Sequence, residues 1–168
     1  PTKKFVPGIG QSDFRWFRDE GYGYVDKTSF ISDVIADSSM VLLFPRPRRF
    51  GKTMNLSMLG HFFRKTDEDF SRLFEGLDVW QDEKAKKHFQ KHPVIMISFK
   101  DVKEKTFDET IASIRSRIVE VFRQNRYLVD QGALDETRIR FFQTMLIGSP
   151  TKQDLQDSLI VLSQALYA

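Results

Sequence analysis

Cysteine is absent from the 168-residue sequence. Its absence excludes disulfide bonds, thiolate metal sites and a cysteine nucleophile. A chain without thiols is compatible with a reducing compartment, and we therefore predict a cytoplasmic protein.

Long apolar runs are also missing. No run approaches the roughly 20 residues that a helix needs to cross a bilayer. The opening residues, PTKKFVPG, lack the apolar stretch of a secretory signal. The sequence therefore predicts a soluble, unexported protein without a membrane partner.

The remaining composition is typical of one globular domain. Hydrophobic residues make up 40% of the sequence and charged residues 29%, and the 16 phenylalanines predict an aromatic core. The net charge of +3 favours anionic partners but does not require nucleic acid. The positions of the cations are therefore more informative than their number.

The first part of the chain predicts two helices followed by a strand. Apolar spacing indicates a short helix within residues 12–20 and a second helix, capped by Asp26 or Thr28, that ends before Asp37. Residues 40–44, with the sequence MVLLF, form a continuous apolar run. Such a run predicts a strand buried on both faces of a parallel sheet.

Helical spacing returns at Lys52, where a helix is predicted to bury Leu56, Leu59, Phe62 and Phe63. Short helices are predicted between residues 67 and 92. Residues 93–99, with the sequence PVIMISF, predict a second strand.

The last third of the chain predicts three helices. Thr106 and Glu109 match a capping box. Two further helices are predicted over residues 135–146 and 151–167. The helix that follows the capping box is predicted to bury Ile111, Ile114, Ile118, Val121 and Phe122.

Half of a phosphate-binding motif follows the first predicted strand. The full pattern, G-x-x-x-x-G-K-[ST], wraps backbone N–H groups around phosphate, brings Lys to the outer phosphates and places a hydroxyl on Mg²⁺. Gly51, Lys52 and Thr53 match its second half, whereas Arg46 replaces the first glycine. The start of a helix adds free N–H groups and a positive dipole end. The tripeptide therefore predicts phosphate binding, and the alternative is a basic turn that only caps the helix.

Four segments of the chain resemble the predicted prokaryotic AAA-ATPase-like proteins, a P-loop NTPase family often fused to a C-terminal nuclease-like domain of the PD-(D/E)XK type. These segments cover most of residues 7–101. The family uses an RPRRFGK[ST] loop, so the arginine in place of the first glycine is shared. The segments are PGIGQSDFRWFRDEGYGYVDKTSFI, LLFPRPRRFGKTMNLSMLGHFF, LFEGLDVWQDE and HPVIMISFKD.

This resemblance implies an α/β fold, with a P-loop NTPase-like core of parallel strands and flanking helices, and ATP with Mg²⁺ as ligands. Gly51, Lys52 and Thr53 would bind phosphate, Thr53 would also bind the metal, and Arg48 and Arg49 would lie beside the loop. The candidate nucleotide-binding residues are Arg48, Arg49, Phe50, Gly51, Lys52, Thr53 and Met54.

The acidic strand that completes the Mg²⁺ shell in this family has no good counterpart in the sequence. Asp101, just after the second predicted strand, is the nearest candidate. We expect the acidic strand beyond Ala168, so that residues 1–168 would form the N-terminal part of the P-loop domain and leave its sheet incomplete. Such a chain would bind nucleotide without efficient turnover.

Several other residues have simpler interpretations than ligand binding. Tyr22 and Tyr24 could stack on a base, but packing is favoured. Asp26 and Lys27 could approach a nucleotide, but helix capping is favoured for this segment.

A histidine pair and a lysine-rich helical face are likewise not assigned to ligand binding. His88 and His92 have helical spacing but no third ligand, which disfavours a zinc site. A helical face with Lys84, Lys86 and Lys87 could bind nucleic acid, although a solvated face is favoured.

Two functions remain in competition at this level. The first is an ATP-binding module that couples nucleotide state to a partner or downstream domain and hydrolyses ATP in the full-length protein, with assembly if a neighbouring arginine takes part. The alternative is a non-catalytic adaptor or nucleic-acid-binding domain in which the loop is a structural turn. The flanking elements and the family's own loop favour the first.

Overall fold

Helices form 56% of the residues that the computed structural model describes, which are residues 10–47, 49–132 and 134–167. The chain divides into two units, the first ending at Val94 and the second beginning at Ile95. Each unit has a buried cluster of its own. None of the described helices combines the length and the apolar character that a bilayer crossing requires.

Short helices dominate the first unit. Asp13 caps the first of them, because its carboxylate accepts a hydrogen bond from the backbone N–H of Trp16 at 2.8 Å. Three of the elements have only four residues, so tertiary packing must stabilise them. The described elements are α1 (Phe14–Asp19), α2 (Ser29–Ala36), α3 (Lys52–Phe63), α4 (Ser71–Phe74), a 3₁₀ helix (Asp78–Gln81) and α5 (Glu83–Lys86).

An aromatic cluster forms the core of the first unit. Phe14, Phe62 and Phe74 are fully buried. The ring of Phe74 lies 5.1 Å from that of Phe14 and 5.2 Å from that of Phe62, measured between centroids. Such pairs contribute roughly 0.5–1.5 kcal/mol beyond area burial. The predicted aromatic core is confirmed here, and it joins α1 to α3.

Four described helices make up the second unit: α6 (Phe107–Gln124), α7 (Tyr127–Asp130), α8 (Glu136–Ile147) and α9 (Lys152–Tyr167). The predicted capping box of α6 is confirmed, because the Thr106 hydroxyl accepts from the N–H of Glu109 while the Glu109 carboxylate accepts from the N–H of Thr106. The short helix α7 was not predicted. Ile118, Val121 and Phe122 of α6 are buried, as their spacing predicts.

The predicted α/β fold with parallel strands is wrong. Residues 40–44 form no strand, and the side chains of Met40, Val41 and Leu43 are 102%, 82% and 84% exposed. An apolar run becomes a strand only where a neighbouring segment pairs with its backbone N–H and C=O groups. No described segment does so for residues 40–44.

The second predicted strand is also wrong. Residues 93–99 form no strand either, and Ile95 and Ile97 pack against the helical cluster of the second unit. In the described ranges, β-type pairing is limited to an isolated parallel bridge between Arg64 and His92. Packing against helices therefore takes up Ile95 and Ile97, whereas Met40, Val41 and Leu43 stay exposed.

Helix α3 forms where it is predicted, and of its four predicted apolar residues only Leu56 lies outside the core. Met58 and Phe62 are fully buried, whereas Leu56 is 55% exposed. Leu59 and Phe63 are partly buried and pack at the edge of the cluster. Residues 58 and 62 lie one turn apart on the buried face of α3, and Leu56 lies outside that face.

Candidate functional site

The first turn of α3 is the centre of the candidate site. Gly51 precedes the helix with φ of 70°, and its carbonyl accepts the first helical hydrogen bond, from Asn55 N–H at 2.9 Å. This left-handed conformation is strained for residues with a Cβ. The turn that starts the helix therefore favours the glycine of the motif.

The first backbone N–H groups of α3 have no partner within the helix. No side chain of the described residues caps α3, and its first turn has no acidic residue. In the described ranges, the N–H groups of Thr53 and Met54 have no hydrogen-bond acceptor. Such N–H groups, together with the helix dipole, favour a bound anion.

The Lys52 side chain turns back over the loop that precedes the helix. Its ammonium donates to the carbonyl of Arg46 and, at 2.8 Å, to the carbonyl of Pro47. No described carboxylate forms a salt bridge with Lys52. The ammonium is therefore held beside the helix start while its charge stays available to an anion.

Two described arginines lie near this ammonium in the chain. Arg46 and Arg49 are exposed, and neither forms a salt bridge within the described ranges. Arg49 has φ of 67°, so the loop contains a second left-handed residue close to Gly51. Unpaired cations and a left-handed turn are both features of anion-binding loops. Arg48 lies outside the described residues.

The other candidates in the loop differ in exposure. Phe50 is 59% exposed, and Thr53 is exposed with its hydroxyl in the first helical turn. Met54 instead packs against the aromatic cluster. Its N–H can face a ligand, but its side chain has a structural role.

Asp101, the nearest acidic candidate in the sequence, lies in the second unit. Its carboxylate is exposed and accepts a hydrogen bond from the Arg117 guanidinium at 3.3 Å. An exposed ion pair of this kind contributes little to stability.

Tyr22 and Tyr24 pack as the sequence predicts. Tyr22 stacks on Trp16 with ring centroids 4.6 Å apart. Tyr24 contacts Phe14 edge to face, and its hydroxyl donates to the Met58 sulfur at 3.3 Å. Burial raises the pKa of Tyr24 to about 12. Both rings therefore already have partners within the protein.

Asp26 has a structural role, but the predicted capping of α2 by Asp26 or Thr28 is wrong, because no side-chain hydrogen bond caps that helix. It accepts hydrogen bonds from the N–H and hydroxyl of Thr28 and from the N–H of Asp78. Burial raises the pKa of its carboxyl, but these hydrogen bonds outweigh burial and lower it overall. Thr28 in turn accepts from the N–H of Val79 at 3.1 Å.

Two contacts around α3 were not predicted. Ser57 accepts from the N–H of Phe14 and donates to Asp13, both at 3.0 Å, and thereby fixes α3 against the start of α1. The carbonyl partners of Lys52 were also missed. Backbone acceptors leave no side-chain pattern in a sequence, so only the structure could reveal them.

Comparison with known proteins adds independent information. A family model described as predicted AAA-ATPase matches residues 8–166. A protein of Azotobacter chroococcum mcd 1, described as an uncharacterized protein in the vnfD 5' region, is 36% identical over 104 residues. That match covers 58% of this chain but only 17% of the relative. No solved structure matches the chain.

The family match agrees with the resemblance found in the sequence segments and the loop. It supports nucleotide binding at the level of the family, and it gives no information on a nuclease-like domain. Because the match spans nearly all 168 residues, the chain belongs to the predicted AAA-ATPase family.

Proposed function

We propose that residues 46–53 bind the phosphates of ATP. The observation that carries the proposal is the placement of the Lys52 ammonium beside the uncapped start of α3, behind a left-handed Gly51. The description of the family as a predicted AAA-ATPase supports ATP as the nucleotide. The alternative, a purely structural turn, does not explain why three described cations in and beside this turn have no carboxylate partner.

The hydrogen-bond donors and positive charges at this helix start are of the types that bind phosphate groups. Lys52 provides a charged donor that can exchange its two carbonyl partners for phosphate oxygens, and charge-assisted hydrogen bonds of this type are stronger than neutral ones. The N–H groups of Thr53 and Met54 provide neutral donors in the direction of the helix dipole. Arg46 and Arg49 add positive potential that attracts the anion.

Mg²⁺ would accompany the nucleotide, and Thr53 is the residue that would hold it. Its exposed hydroxyl is an oxygen ligand, which Mg²⁺ requires, and the remaining positions would be filled by phosphate oxygens and water. The bound ion would neutralise charge on the phosphates. The chain aligns with 17% of its curated relative, so ATP hydrolysis and coupling to a partner are proposed for a longer protein.

Replacing Lys52 by Ala tests the site. The variant is expected to bind ATP and ADP about tenfold more weakly or worse, because a hydrogen bond from a charged group contributes about 1.5–3 kcal/mol. Titration calorimetry in the presence of Mg²⁺ measures both affinities.

Lys65→Ala is the matched control, since Lys65 is an exposed lysine just beyond the other end of the same helix. It removes the same charge and should leave nucleotide affinity almost unchanged. Equal affinities of the Lys52→Ala variant and the unsubstituted protein would mean that the loop is a structural turn.

A further inference from the structure

A short strap precedes the turn that starts α3. It consists of residues 44–47, with the sequence FPRP, and it follows the mostly exposed apolar residues 40–43. Pro45 and Pro47 have no backbone N–H and a fixed φ. In the described ranges, no hydrogen bond between backbone groups involves residues 44–47. The position of the strap therefore depends on contacts with side chains.

Phe44 makes the contact at the first end of the strap. Its ring packs edge to face on the ring of Phe30 in α2, with centroids 4.8 Å apart. Phe44 remains 40% exposed, so this contact buries only part of the residue. Because the stabilisation grows with the apolar area that is buried, the contact with Phe30 alone holds the strap weakly.

Lys52 makes the contact at the second end. Its ammonium donates hydrogen bonds to the carbonyls of Arg46 and Pro47, the second at 2.8 Å. Within the described ranges, these are the hydrogen bonds that residues 44–47 form. Both are charge-assisted, which makes them stronger than bonds between neutral groups. A single side chain at the start of α3 therefore holds the second half of the strap.

We infer that Lys52 is a latch on this strap, and that a phosphate group bound to its ammonium releases residues 44–47. The inference rests on the proposed function, because the same ammonium is the charged donor for the nucleotide. An ammonium has three protons, and the two carbonyls use two of them. A phosphate chain offers several charged oxygens, which accept stronger hydrogen bonds than neutral carbonyls do. Phosphate therefore displaces the carbonyls from Lys52.

Release of the strap would transmit nucleotide occupancy to an apolar surface. Without the two Lys52 hydrogen bonds, the strap keeps the contact between Phe44 and Phe30. Residues 40–43, which directly precede the strap, would then gain conformational freedom. A ligand shifts a conformational equilibrium only through interactions that differ between the two states. The Lys52 ammonium provides that difference, because it binds carbonyls in one state and phosphate in the other.

The absence of cysteine from the chain allows a single nitroxide label to test the latch. Leu43→Cys provides the attachment site, since Leu43 is 84% exposed and directly precedes the strap. In the nucleotide-free protein, Lys52→Ala should narrow the electron paramagnetic resonance lines of this label, because the released strap moves faster. Lys65→Ala removes the same charge just beyond the other end of α3 and should leave the lines unchanged.

Phe44→Ala is the positive control for the label. It removes the other contact of the strap, so it should narrow the lines although Lys52 is present. Far-ultraviolet circular dichroism of each variant verifies that the helices are retained. Unchanged lines in Lys52→Ala would overturn the latch.

Addition of Mg²⁺ and ATP to the labelled protein tests the release. Once calorimetry shows that the site is saturated, the lines should narrow toward those of Lys52→Ala. Bound nucleotide with unchanged lines would overturn the inference and leave the proposed function intact. Calorimetry without binding would instead overturn the proposed function, and the Lys52→Ala comparison, made without nucleotide, would still decide the latch.

Discussion

Gly51 is the residue on which the start of α3 depends. A Cβ added at this position would meet no atom within 4 Å, so backbone strain at φ of 70° is the main cost of substitution. Gly51→Ala is therefore expected to lower the free energy of unfolding by about 1–2 kcal/mol. Urea unfolding of both proteins measures the change.

Gly51→Asn provides the comparison for this prediction. Asparagine tolerates the left-handed region better than alanine does. Gly51→Asn should therefore lower the free energy of unfolding by less than Gly51→Ala does. If the alanine variant were as stable as the unsubstituted protein, the left-handed start of α3 would be incorrect.

His61 carries a second residue-scale consequence, because its charge state is linked to folding. Burial lowers the pKa of His61 below 6.5, and Arg64 and Arg15 contribute in the same direction. Asp13, whose carboxylate lies 3.6 Å from the His61 Nε2 atom, opposes the shift but does not cancel it. The imidazole is therefore harder to protonate in the folded state than in the unfolded state.

This shift predicts a loss of stability in mild acid. As pH falls through about 6.5 toward the lower pKa of the folded state, the unfolded chain binds a proton that the folded chain resists, so the free energy of unfolding decreases. Urea unfolding at about pH 7.5 and about pH 5 should show this decrease. The decrease should be smaller in His61→Gln, with His92 responsible for part of the remainder. An identical pH dependence in that variant would contradict the prediction.

Helix α6 begins with a reciprocal N-terminal cap. The Thr106 hydroxyl and the Glu109 carboxylate bond reciprocally to backbone N–H groups. Thr106→Ala should lower the free energy of unfolding by about 1 kcal/mol. Chemical denaturation checks the value. Thr137→Ala, at an exposed position in the first turn of α8 that makes no side-chain cap, should change the free energy of unfolding by less than about 0.5 kcal/mol.

The elements that the sequence predicted correctly are those with local causes. Apolar spacing within residues 12–20, and the pairing of Thr106 with Glu109, indicate helices through residues within four positions of each other, and both helices are found. A strand has a non-local cause, because its hydrogen bonds come from another segment. Residues 40–44 have the right composition, but no described neighbour pairs with them. For that reason these helices were predicted correctly and the two strands were not.

In the candidate site, too, the features with local causes could be predicted and the others could not. The glycine requirement at Gly51 and the helix from Lys52 could be predicted, because the motif encodes them in consecutive residues. The partners of Lys52 could not be predicted, since they are carbonyl groups that any residue would provide. The packing of Met54 depends on the path of α3 over the aromatic cluster, which local spacing does not determine.

At the scale of the whole chain, the two buried clusters have no residue in common. Phe142 is fully buried in the second cluster, 4.8 Å from the Phe122 ring. Phe142→Ala should lower the free energy of unfolding by about 3–5 kcal/mol, because it removes buried apolar surface and leaves a cavity. Amide hydrogen exchange should accelerate mainly in α6, α8 and α9.

Phe62→Ala is the reciprocal variant, because Phe62 is fully buried in the first cluster. In this variant, amide hydrogen exchange should accelerate mainly in residues before Val94. Equal acceleration in both units by either variant would show that the chain unfolds as a single cooperative block.

The division into two units also determines what optical probes report. Both tryptophans, Trp16 and Trp80, lie in the first unit, where Trp16 stacks on Tyr22 and Trp80 contacts Phe89 edge to face at 5.0 Å. Indole emission therefore follows the melting of the first unit alone, whereas far-ultraviolet circular dichroism sums the helices of both. Coincidence of the two curves would indicate all-or-none unfolding, and their separation would give the stability of each unit from a single titration.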